Sequence, residues 1–115
     1  MEYMLLITEP VAHFDDFTKQ QWDSLDERHR VFADQIRDAG GEILVSDPLA
    51  PPEPQSRFTP RGGEVLVSDG PFAETKEVVL GYYKIRVESE AIARELAALC
   101  PTAGYVDLRR VGLDR

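Results

Sequence analysis

Two hydrophobic periods take turns along this chain, and together they lay out its elements. Residues 3–8 are a short apolar, partly aromatic run closed by Glu9-Pro10, which predicts a buried central strand. Helical spacing begins at Thr18, which with Gln21 fits a capping box, while Phe17 and Trp22 occupy the staple positions on either side. From there Trp22, Leu25, His29, Phe32 and Ile36 recur every three or four residues, one stripe that must lie on a sheet, and Asp23, Glu27, Arg30, Asp34 and Arg37 point elsewhere. Ala39-Gly40-Gly41 stops this helix. A strand at about 42–47 runs into residues 48–54, where Pro48, Pro51, Pro52 and Pro54 predict a stiff loop without regular hydrogen bonding. Residues 64–69 predict another strand, Asp69-Gly70-Pro71-Phe72 a turn, and 78–87 a long strand with Tyr83, Ile85 and Val87 on one face and Tyr82, Lys84 and Arg86 on the other. Ser89 with Glu90 opens a second helix, with Ile92, Leu96 and Leu99 facing inward and Cys100-Pro101 closing it, and a last strand is expected at about 104–111.

The order is β-α-β, a hairpin or strand pair, then β-α-β. That predicts an α+β domain of the ferredoxin-like split βαβ plan, with an antiparallel sheet and both helices on one face. Residues 1–115 are expected to form one domain. Leu5, Ile7 and Leu44 suggest apolar character on both sides of the sheet, so the face without helices calls for a second copy: a homodimer through sheet faces. Gly40-Gly41-Glu42-Ile43-Leu44-Val45-Ser46-Asp47 recurs as Gly62-Gly63-Glu64-Val65-Leu66-Val67-Ser68-Asp69, and the shared turn and alternation needs of two strands explain it.

Composition narrows the function. The net charge is −8, with 13 basic and 21 acidic residues, which disfavours direct nucleic-acid binding through phosphate contacts. Residues 1–57 carry a net −7 and residues 58–115 a net −1, so an anion site belongs in the second half. One cysteine, the lack of any Asn, and an N-terminal apolar run too short for a signal or membrane segment predict a soluble cytoplasmic protein. No Gly-x-Gly-x-x-Gly, Walker loop, Gly-x-Ser-x-Gly, Cys-x-x-Cys or His-x-x-x-His occurs, so neither a cofactor nor a metal is expected.

The candidate chemistry centres on His29. Its place in the apolar stripe directs the imidazole at the sheet, where burial lowers the pKa and a carboxylate raises it, the profile of a general base. A core histidine bonded to a backbone carbonyl, or one paired with Asp26, has the same spacing. Asp69 shares parity with Val65 and Val67 and ends that apolar row, so it either caps its own turn or orients His29, with Asp47 at the same place in the sibling strand. Phe72, Lys76, Tyr82 and Arg86 are the expected substrate-binding residues: the two cations for a carboxylate or phenolate, Tyr82 as donor to a developing oxyanion. Cys100 closes a helix C-terminus, where the dipole disfavours a thiolate.

The run Asp69-Gly70-Pro71-Phe72-Ala73-Glu74-Thr75-Lys76-Glu77, followed by Leu80-Gly81-Tyr82-Tyr83, closely resembles the signature of the DGPF branch of the YCII-related (YciI-like) domain family. Tyr3-Met4-Leu5-Leu6-Ile7, the Leu49-Ala50-Pro51-Pro52 loop and Val106-Asp107-Leu108-Arg109-Arg110-Val111 extend the resemblance over nearly the whole chain. It implies a ferredoxin-like domain that pairs into a dimeric α/β barrel, and a His–Asp pair in a cleft whose histidine matches His29. The implied activity is cofactor-independent elimination or isomerisation of a small molecule, as in a relative that removes chloride from a hydroxylated aromatic ring. In shorter members an Asp-Pro pair follows the second helix, and this chain has Cys100-Pro101 there. The resemblance also implies an alternative, a ligand-binding or regulatory protein with an extracytoplasmic-function sigma factor as partner.

Overall fold

The computed structural model describes residues 1–50, 56–69 and 77–113. Its elements in chain order are β1 (Glu2–Pro10), α1 (Lys19–Asp38), β2 (Glu42–Pro48), β3 (Ser56–Arg61), β4 (Glu64–Asp69), β5 (Glu77–Arg86), α2 (Glu90–Leu99) and β6 (Tyr105–Arg110). Local chemistry sets the boundaries. Thr18 accepts from the Gln21 amide at 3.1 Å while the Gln21 side chain accepts from the Thr18 amide at 2.8 Å, the expected capping box. Gly40 at φ +79° ends α1, with the amides of Gly40 and Gly41 donating to the carbonyls of Arg37 and Ile36 in a Schellman arrangement. Ser89 caps α2 by accepting from the Ile92 amide.

Four strands form one antiparallel sheet in the order β2-β5-β1-β6, and β3 and β4 form a separate two-stranded sheet. With one helix in each βαβ half, this is the split βαβ arrangement of a ferredoxin-like α+β fold. The core lies between the sheet and the helices: Tyr3, Leu5 and Ile7 of β1 and Tyr83 and Ile85 of β5 meet Phe32 and Ile36 of α1 and Ala93 and Leu96 of α2.

Three expectations change. Leu5 and Ile7 both face the helices, so the open face is Met4, Leu6, Val45 and Tyr82 interspersed with Glu2, Lys84, Arg86 and Arg109, apolar only in part. Leu99 is 50% exposed, because Ala93 and Leu96 already fill the face of α2 over the sheet. Trp22, in the first turn of the 20-residue helix α1, is 42% exposed rather than buried on the sheet. There Trp22 stacks on Phe14 at 5.2 Å and meets Phe17 edge-on at 5.0 Å. The turn at Gly70-Pro71-Phe72 and the prolines at 51, 52 and 54 lie outside the described residues. No described helix is long and apolar enough to cross a membrane.

Candidate functional site

His29 reaches the sheet as its spacing requires, and its Nδ1 lies 2.7 Å from the Tyr83 hydroxyl, with the two rings nearly parallel at 5.8 Å. Tyr83 is held from three sides. Phe32 meets it edge-on at 5.1 Å, Leu5 pairs with it across β1, and Ser46 pairs with it across β2. Since Nδ1 is committed to Tyr83, Nε2 is the nitrogen available to a ligand, and among the described residues it has no hydrogen-bond partner.

A cavity of about 660 Å³ opens in front of this pair, within the size range of small-molecule sites. Its floor is Ile7, Leu80, Gly81 and Tyr83, its helical wall Trp22, Leu25, Asp26 and His29, and its far wall Ser46 to Ala50 at the end of β2. The register of β5 against β1 skips Leu80, so Leu80 and Gly81 are both buried in succession and the floor widens there. A smaller cavity of about 440 Å³, lined by Tyr3, Glu90, Arg94, Leu108 and Arg110, contains no His29-like proton carrier.

Glu9 also lines the larger cavity. It is 7% exposed, its Oε2 accepts the Ala103 amide at 3.2 Å, and His13 Nε2 lies 3.8 Å away. Strict alternation along β1 would have found it, since Glu9 keeps the parity of Tyr3, Leu5 and Ile7; its place beside Pro10 at a strand end hid it. Burial pulls the His29 pKa below its ordinary value, and the Glu9 carboxylate opposes that shift. Burial raises the Tyr83 phenol and Cys100 adds to the rise, with Ser46 acting against them, so Tyr83 is a neutral hydroxyl at neutral pH. Cys100, buried near Glu9, is pushed up to about 12 and is a thiol rather than a nucleophile.

The other sequence candidates fall as follows. Asp69 ends β4 on the separate hairpin, where its Oδ1 accepts from the Ser56 hydroxyl at 2.7 Å, and it is not among the described residues lining the His29 cavity. The partner of His29 is instead Tyr83, because β5 runs beneath α1 and the hairpin is a separate sheet. Asp47 does line the cavity and accepts from the Tyr82 hydroxyl at 2.5 Å. That bond, chiefly, raises the Tyr82 pKa and commits its proton to Asp47. Arg86 sits away from the cavity, bonded to Glu42 at 2.9 Å and near Glu2 at 3.5 Å. Phe72 and Lys76 lie outside the described residues. Among the described residues no three His, Cys, Asp or Glu side chains converge as a metal site.

The model of the YCII-related domain matches residues 1–111. The chain belongs to the YCII-related domain family. This YCII-related domain is 41% identical over 69 residues to an uncharacterised protein of Rhizobium meliloti (strain 1021), a match spanning 56% of each chain. The chain thus spans about half the length of that relative.

Proposed function

We propose that this YCII-related domain binds a small molecule in the His29 cavity and moves a proton on it, in an elimination or isomerisation that calls on side chains alone. The observation that carries this reading is a histidine tied at Nδ1 to a buried tyrosine, with Nε2 left to a cavity that also holds a buried carboxylate. A lowered pKa keeps His29 neutral near pH 7, ready to accept a proton at Nε2. When it does, Nδ1–H donates to the Tyr83 oxygen, and Glu9 stabilises the imidazolium. The orienting role that the sequence suggested for Asp69 passes in this reading to Tyr83.

The test is to select cavity ligands by thermal shift, then follow their conversion, or deuterium uptake from D2O, by NMR in the wild type and in His29→Gln. The expected result is conversion that falls at least about a hundredfold in the variant while binding persists, the usual scale for a general base. Equal conversion by the variant refutes the reading. Binding without any conversion in the wild type favours the ligand-sensing alternative, for which a sigma factor is the candidate partner.

The working unit proposed is a homodimer built on the open sheet face, in which two sheets close into an α/β barrel. The Cα radius of gyration is 16.5 Å, against about 13 Å for a compact chain of this length. Among the described residues the β3–β4 hairpin packs substantially on no other element, while Phe58 and Val67 pair on one face of it at 64% and 56% exposure. A two-stranded hairpin alone is marginal in water, so a second copy is the natural cover. Sedimentation should give a dimer at micromolar concentration, and a monomer would refute this assembly.

A further inference from the structure

The walls of the His29 cavity carry one sign of charge. Glu9, Asp15, Asp26 and Asp47 all line it, and no Lys or Arg does so among the described residues. By sequence alone the segments outside the described residues are not net basic: 51–55 holds Glu53, 70–76 holds Glu74 and Lys76, and 114–115 holds Asp114 and Arg115. Arg28, on the same helix, bears on His29 electrostatically but is not part of the lining. The Glu2 and Glu42 carboxylates occupy Arg86 elsewhere on the sheet. Between the carboxylates the surface is apolar and aromatic, with Phe14 stacked on Trp22 and Leu25 and Leu80 beside them.

We infer that the ligand of this cavity is a small cationic aromatic molecule, an arylalkyl amine in chemical class, rather than the carboxylate or phenolate that Lys76 and Arg86 suggested from the sequence. The inference rests on the proposed binding role of the cavity and specifies it. An aromatic ring fits against Phe14, Trp22 and Leu25, and its ammonium then faces carboxylates that a negatively charged ligand would have to approach unpaired. The four carboxylates come from β1, the loop after it, α1 and β2, so the negative charge in the lining is supplied by four separate segments around an uncharged floor.

Trp22 is the single tryptophan and stands in the cavity wall, so its fluorescence reports on occupancy. The probes are 2-phenylethylamine, 2-phenylethanol and 3-phenylpropanoate, which share a ring and differ in charge, with calorimetry as a second measurement. The amine should bind at least about tenfold tighter than the carboxylate, and the preference should shrink with added salt. In the double variant Asp15→Asn, Asp26→Asn, built on two exposed carboxylates with no side-chain hydrogen bond to break among the described residues, amine affinity should fall at least about fivefold while the alcohol is unchanged. Equal or tighter binding of the carboxylate overturns the inference, as does an amine affinity indifferent to the double variant, or no binding of the amine by either method. The proton-transfer reading fails separately: amine preference with conversion indifferent to His29→Gln sinks that reading and leaves the charge selectivity standing. Conversion of a bound carboxylate that depends on His29 does the reverse.

Discussion

Replacing Gly104 by alanine tests the join between β6 and the site. A Cβ at Gly104 would lie inside van der Waals contact of the Thr8 carbonyl oxygen, 3.2 Å from Thr8 C and 3.3 Å from Glu9 Cα. All three are backbone atoms, which cannot swing aside as a side-chain tip can. Gly104 is not in the left-handed region, so backbone strain plays no part and the effect is steric. Overpacking of this kind costs about 1–3 kcal/mol, and an unyielding backbone puts it near 3. The lost freedom of glycine in the unfolded chain returns about 0.4–1 kcal/mol, leaving a net loss of about 2. An unfolding entropy near 2.1 cal/mol/K per residue gives about 4 °C per kcal/mol over 115 residues, so Gly104→Ala should melt about 8 °C lower at equal protein concentration. Because Ala103 donates to Glu9 Oε2, its amide should also exchange faster with solvent. The control is Gly40→Ala, which meets nothing within 4 Å and bears only the strain of φ +79°, about 1–2 kcal/mol, without changing Ala103 exchange. A melting temperature for Gly104→Ala within about 1 °C of wild type would refute the close approach.

Two further outcomes follow from the titrating groups. The His29 pKa is lowered in the folded state, so the unfolded chain binds more protons as pH falls past about 6.5, and stability that is full above that value is lost below it; urea denaturation in His29→Gln should show a shallower loss between pH 7 and 5. With its pKa near 12 and 6% exposure, Cys100 should react with a disulfide reagent at pH 8 about a thousandfold more slowly than an ordinary thiol, and at the ordinary rate in 8 M urea; rapid native labelling would contradict its burial.

Every element of the four-stranded sheet and both helices are legible in the sequence, because caps, strand alternation and helical spacing act within a few residues. Thr18 and Gln21 meet on one turn, Ser89 caps its own helix, and Tyr83, Ile85 and Val87 share a face by parity alone. His29 was visible for the same reason: a polar residue in an apolar stripe is a local anomaly.

Its partners were not visible. Glu9, His29, Ser46 and Tyr83 come from four separate elements, and they meet only because β5 lies between β1 and β2 and beneath α1. The sequence places Asp69 and Asp47 alike, at the ends of sibling strands. Tertiary structure separates them, since β2 joins the main sheet and brings Asp47 to the cavity while β4 pairs with β3 and leaves Asp69 on Ser56. Local pattern determines which face a side chain takes. Strand order decides what that face meets, and it is set by the burial of the whole sheet against both helices, a sum over distant residues that no short window of sequence contains.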